Sequence, residues 1–128
     1  MIYLDTSVAL AQLLAEDRVP PIELWEESLV ASRLLEYEMW TRLHARGLAR
    51  SHGELTRQLL ARIALLDLSP SVLARALEPF AMPVRTLDAL HLASMEFLCK
   101  RGLAVQLASY DGRLVESARS LGIQIREL

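Results

Sequence analysis

Three aspartates and a pair of glutamates are the residues best placed for chemistry: Asp5, Asp88, Asp111, and Glu36 or Glu38. Asp5 closes the apolar run Ile2-Tyr3-Leu4, and Asp111 follows the run ending at Ala108. Each precedes a helix start. Taken singly, either aspartate is accounted for by helix capping. Carboxylates at neighbouring strand ends would instead converge and repel. Carboxylates gathered without His or Cys ligands make a hard, oxygen-only site, which suits Mg²⁺ or Mn²⁺ and not zinc. Such a cation activates water and stabilises charge on a phosphoryl group.

Asp88 sharpens this reading. It shares a helical line with Leu92, Met95 and Cys99, on a segment that is nearly all apolar. A first-turn acid gains of order 0.3–1 kcal/mol from the helix dipole. That does not offset burial of an unpaired carboxylate, which costs several kcal/mol. A cation must therefore meet it, either Arg85 three residues earlier or a metal ion shared with Asp5 and Asp111. Glu36 falls near Trp40 and Leu43 on its helix, and Glu38 falls between Leu34 and Leu35. Periodicity does not choose between them, and a pair such as Glu38 with Arg42 is the plainer use of either. His91 follows Asp88 by three residues and is expected to be a satisfied structural histidine, the alternative being that it orients a carboxylate or a substrate phosphate. Cys99 is expected to be a small core residue, and His44 and His52 are expected to be exposed. No dinucleotide fingerprint, P-loop or nucleophile elbow is present.

The elements that must position these residues alternate between short strands and helices. Strands are expected at Ile2–Leu4, Leu29–Ala31, Leu66–Leu68, Ala104–Ala108 and Ile123–Ile125. Helices are expected over Thr6–Ala15, Pro21–Glu27, Arg33–Ala45, Ser51–Leu66, Thr86–Lys100 and Gly112–Leu121. One more, capped by Ser69 or Ser71, ends near Pro79. Ser51 with Glu54 reads as a capping box. Alternation of this kind implies an α/β domain with a mainly parallel sheet, whose ligands sit beyond the carboxyl ends of the strands.

The chain of 128 residues fits a single domain spanning 1–128. An apolar fraction of 52% excludes intrinsic disorder. A lone cysteine excludes a disulfide framework and a cysteine-based zinc site. With 14 basic and 16 acidic residues the net charge is −2, so nucleic-acid binding must be local. The first residues carry no basic leader, and no apolar run approaches the ~18–20 residues of a membrane span. A cytoplasmic protein is expected.

Four segments in order resemble the PIN domains: Tyr3-Leu4-Asp5-Thr6-Ser7, Ser32 with Glu38 six residues on, Asp88-Ala89-Leu90-His91-Leu92-Ala93, and Ser109-Tyr110-Asp111. They look most like the VapC-type toxins of toxin–antitoxin modules. The resemblance covers the whole chain, and the spacing from Ser32 selects Glu38 over Glu36. It implies a three-layer α/β fold with a central, mainly parallel five-stranded sheet. It implies an endoribonuclease dependent on Mg²⁺ or Mn²⁺, with Asp5, Glu38, Asp88 and Asp111 holding the metal. Thr6 and Ser109 would hydrogen-bond carboxylates or the attacking water. An antitoxin partner and a homodimer are implied too. Ser109 stands where threonine is more usual, and the hydroxyl is kept.

Two expectations extend this. Arg42, Arg46 and Arg50 recur at helical spacing after Glu38, and Arg85 and Arg113 flank Asp88 and Asp111. Arg42, Arg46, Arg85 and Arg113 are therefore expected to draw the RNA backbone, with Gly47 turning Arg50 aside. Apolar surface around Leu13, Leu14, Leu24, Trp25, Met39 and Trp40 is expected to form a groove for an antitoxin helix, anchored by Trp25. The competing classes are a non-catalytic PIN-like RNA- or protein-binding domain, and a phospho-acceptor receiver domain. The receiver wants adjacent acids near the first strand and a lysine at a late strand end. Asp5 stands alone, and Lys100, the only lysine, ends a helix.

Overall fold

The structure is a computed structural model that describes residues 1–128. Five strands form it: β1 (Ile2–Leu4), β2 (Leu29–Ser32), β3 (Ala64–Leu66), β4 (Gln106–Ala108) and β5 (Gln124–Ile125). The helices are α1 (Thr6–Leu14), α2 (Leu34–Ala45), α3 (Ala49–Leu60), α4 (Pro70–Ala76), α5 (Thr86–Lys100) and α6 (Gly112–Ser120). The segment after Pro21 is a 3₁₀ helix, Ile22–Glu26. All four strand pairings are parallel, in the order β3-β2-β1-β4-β5. The chain leaves β1 toward β2 on one side and later fills β4 on the other. The carboxyl ends of β1 and β4 therefore flank a topological switch point, where sheets of this kind bind ligands.

Alternation along β1 divides the core in two. Ile2 and Leu4 face a cluster with Val8, Leu35, Met39 and Leu59, from α1, α2 and α3. Tyr3 faces the other cluster with Leu92, Met95, Leu107 and Leu114, which brings in α5 and α6. A sheet sandwiched this way needs strands apolar on both faces, as the fully buried β1 and β2 are. The three-layer α/β expectation thus holds. No helix is long and apolar enough to cross a membrane.

Several boundaries differ from expectation. Strand β3 lies at Ala64–Leu66, because its register on β2 pairs Val30 with Ala64 and Ser32 with Leu66. Asp67, placed inside the expected strand, turns out to solvent and meets Arg33 Nε at 2.7 Å. The capping box at Ser51 does not form. Gly47, at φ +68°, turns the chain so tightly that α3 starts at Ala49. Ser51 then lies inside the helix and its hydroxyl donates to Leu48 O. Ser69, not Ser71, caps α4 by accepting from Val72 N. Cys99 is exposed rather than in the core; Leu98, one position back, takes the core contact.

The expected groove also loses its anchor. Trp25 is only 9% exposed and packs in the first cluster, as do Leu24 and Met39. Its backbone carbonyl accepts from Arg62 Nη2 at 2.6 Å. Leu13 and Leu14 are half-buried against the same cluster.

Candidate active site

Asp5 sits where β1 hands over to α1, in extended backbone, and caps that helix. All the hydrogen bonds to its carboxylate arrive at Oδ2: Ser7 N at 3.3 Å, Ser7 Oγ at 2.6 Å and Ser109 Oγ at 2.8 Å. The two hydroxyls accept in turn from the loop after β4, Ser7 Oγ from Tyr110 N and Ser109 Oγ from Asp111 N, both at 2.9 Å. The ends of β1 and β4 are thereby stitched together around one carboxylate. Asp111 caps α6 with Oδ1, accepting from Arg113 N at 3.0 Å and Leu114 N at 3.5 Å. Its Oδ2 accepts from Arg85 Nη2 at 2.9 Å. Capping and convergence are both true of these aspartates, since each carboxylate has two oxygens.

Asp88 enters from the first turn of α5, with its side chain 16% exposed. Arg85 Nε reaches its Oδ2 at 3.2 Å, so one guanidinium bridges Asp88 and Asp111. Burial pushes the Asp88 carboxyl up; Arg85 pulls it back, and the charges of Asp111 and Asp5 push it further up. That opposition places three acids within electrostatic reach of one another.

The structure separates Glu38 from Glu36. Glu36 is 44% exposed and lies 3.9 Å from Arg33. Glu38 is 19% exposed and accepts from His91 Nε2 at 2.5 Å, with no pairing to Arg42. Nδ1 of His91 meets the Tyr3 hydroxyl at 2.8 Å. Burial pushes the His91 imidazole down, but the hydrogen bond and charge of Glu38 outweigh it and the net shift is upward. Burial drives the Tyr3 phenol far above its ordinary value, so it stays a neutral donor.

One cavity of about 820 Å³ joins these groups. Asp5, Glu38, Asp88 and Asp111 all line it, together with Thr6, Arg18, Arg42, Arg46 and Arg85. Arg50 and Arg113 do not. Ser109 acts from behind Asp5 rather than from the cavity wall.

The sequence profile of the PIN domain matches residues 2–119. The chain belongs to the PIN domain family. It is 31% identical to Ribonuclease VapC47 of Mycobacterium tuberculosis (strain CDC 1551 / Oshkosh), over 95% of this chain and 93% of that one. It is 33% identical to Ribonuclease VapC46 of Mycobacterium tuberculosis (strain ATCC 25618 / H37Rv), over 97% and 95%.

Whether this PIN domain suits a divalent ion is answered by its donors. The acids are oxygen ligands of the hard type, and Oδ1 of Asp5 takes none of that residue's hydrogen bonds. Thr6 Oγ1 is buried at the cavity wall with no partner, an oxygen left over for a water or ligand. No three of the acids form a ready cluster for an ion; Arg85 bridges two of them and His91 holds a third. The donor set therefore fits Mg²⁺ or Mn²⁺ provided Arg85 yields its place.

Three participants escaped the sequence. Ser7, rather than Thr6, bonds the Asp5 carboxylate. Arg18 leaves the loop after α1, lies over the Tyr110 ring at 5.3 Å and lines the cavity; an arginine in an aperiodic loop gives no signal. Tyr3 reads as an ordinary strand residue, and only its pairing with His91 shows its use.

Proposed function

We propose that this chain is a metal-dependent endoribonuclease that hydrolyses RNA phosphodiester bonds, the toxin of a toxin–antitoxin module. The observation that carries the reading is the convergence of Asp5, Glu38, Asp88 and Asp111 on one arginine-rimmed cavity at the switch point of the sheet. The ribonuclease names of both relatives support the same chemistry. Neutralisation by a cognate antitoxin, a cytoplasmic location and a homodimer belong to this reading as well.

Asp5, Asp88, Asp111 and Glu38 would hold Mg²⁺ or Mn²⁺, directly or through water. When bound, such an ion supplies positive charge beside the scissile phosphate and makes water a better nucleophile at neutral pH. Thr6 Oγ1 offers a hydrogen bond to the attacking water. Arg42 and Arg46 offer forked donors to phosphates approaching along α2. Arg85 is 59% exposed and free to exchange its carboxylates for a substrate phosphate.

The test is cleavage of RNA with Mn²⁺, with EDTA, and by D5N and D88N. Cleavage is expected only in the parent with metal, at least ~10²-fold above either variant. Melting without metal should change by no more than about 2–3 °C, under 1 kcal/mol for a domain of this size. RNA retained but uncut by the parent would leave the non-catalytic binding domain as the answer. A short reading frame beside the gene, whose product abolishes cleavage on co-expression, is the test of the antitoxin.

A further inference from the structure

We propose that His91, backed by the Tyr3 hydroxyl, is the positioning residue that holds the Glu38 carboxylate at the wall of the cavity. The step rests on the reading of that cavity as a metal-dependent site.

The geometry begins in the sheet. Ser32 N, at the end of β2, donates to Tyr3 Oη at 3.0 Å. Tyr3 has one proton to give, and His91 Nδ1 stands 2.8 Å away. Accepting that hydrogen bond leaves Nδ1 without a proton and puts the ring proton of the neutral imidazole on Nε2. Nε2 then donates to Glu38 Oε1. The donors run in one direction, from the strand backbone through a phenol and an imidazole to a carboxylate.

His91 is 1% exposed, and the Tyr3 ring meets it edge-on with centroids 5.9 Å apart. Packing alone would be served by an apolar side chain, with no polar atoms to satisfy. Both ring nitrogens instead have partners, and one of those partners lines the cavity.

Position in the fold gives the contact its meaning. α2 packs on one face of the sheet through Leu35 and Met39. α5 packs on the other through Leu92 and Met95. Glu38 and His91 meet across the carboxyl edge between the two layers. A glutamate on α2 has three side-chain torsions to fix before it can serve as a ligand. The bond to a buried ring on the opposite layer fixes its end, as outer partners of metal ligands do. Glu36, without such a partner, stays a surface charge.

Two readouts on the full chain test this: the Glu38 carboxylate position in crystals, and Mn²⁺ affinity by titration calorimetry. H91L keeps the bulk and loses both nitrogens. It is expected to release the Glu38 carboxylate from its place and weaken Mn²⁺ binding about 10–100-fold. H91Q carries an amide N–H near the place of Nε2 and is expected to restore the carboxylate position and most of the affinity. Y3F removes only the hydroxyl, is expected to fall between them, and decides the matter if H91L does not fold. Glu38 in place with the parent's Mn²⁺ affinity in H91L, or in Y3F should H91L not fold, overturns the proposal. So does H91Q failing as badly as H91L, which makes the histidine a packing residue. A parent chain that binds no Mn²⁺ defeats the metal-site reading instead, and the Glu38 position alone then decides the role of His91.

Discussion

Asp111 spends one oxygen on the first turn of α6 and offers the other to Arg85, whereas Asp5 gathers every donor on Oδ2. A side chain so held keeps its rotamer without help from a ligand, which suits a site that must be ready before substrate arrives. His91 adds a pH dependence. Its imidazole titrates higher in the folded chain than the ordinary 6.5, because Glu38 outweighs burial. Between those two values the folded state binds more protons than the unfolded one, so stability falls as pH rises. The contribution is complete below pH 6.5 and lost as pH passes the raised value. Thermal melting of the parent should therefore fall relative to H91Q as pH rises above 6.5. Parallel curves for the two chains would show that the pair adds nothing to folding.

At the scale of elements, one arginine ties two helix starts together. Arg85 sits at the N-terminus of α5 and reaches Asp88 on its own helix and Asp111 at the cap of α6. It holds two of the carboxylates that the proposed divalent cation would need. R85Q should therefore tighten Mn²⁺ binding several-fold, while melting stays close to that of the parent because the guanidinium is exposed and screened by solvent. Calorimetric titration reads the first and melting the second. Weaker Mn²⁺ binding in R85Q would mean that the arginine organises the acids rather than competing for them. The α2–α3 turn gives a control outside the acid cluster. Gly47 lies at φ +68° with open space where a Cβ would stand, so G47A isolates the backbone cost. A loss of about 1–2 kcal/mol with RNA cleavage unchanged is expected.

What the sequence disclosed follows the same scale. Asp5 and Asp111 were readable because a strand end and a helix cap are both local patterns. The sheet was readable because βαβ alternation constrains it. Glu38 was not readable from helical periodicity, since its partner lies 53 residues away and only the meeting of two helical layers selects it. Spacing shared with a family did select it, but without a reason. Ser51 and Glu54 carried a genuine local signal that Gly47 overrode from outside the motif. Trp25 misled for a related reason: a tryptophan in a five-residue 3₁₀ helix looks short of cover until the first core cluster closes over it.

For the whole molecule, the proposed function requires bringing a polyanion to an acidic cavity on a chain of net charge −2. Long-range attraction is absent, so binding depends on cations set close to the acids. Arg42 lies on α2 one turn beyond Glu38, Arg46 follows four residues later at the helix's C-terminal cap, and both line the cavity. Arg113 lies two residues after Asp111 yet does not line the cavity, although Asp111 does. Sequence proximity to the acids and exposure to the cavity thus make opposite claims, and salt dependence separates them. Each phosphate neutralised on single-stranded RNA contributes about 0.7 to the slope of log affinity against log salt. Replacing Arg42 and Arg46 together by glutamine should therefore flatten the slope by about 1.4 and weaken binding, measured on a non-hydrolysable RNA at fixed Mn²⁺. R113Q should leave the slope as it is. If R113Q flattens it and the double variant does not, the RNA passes over α6 rather than along α2, and the arginines of the cavity serve the acids alone.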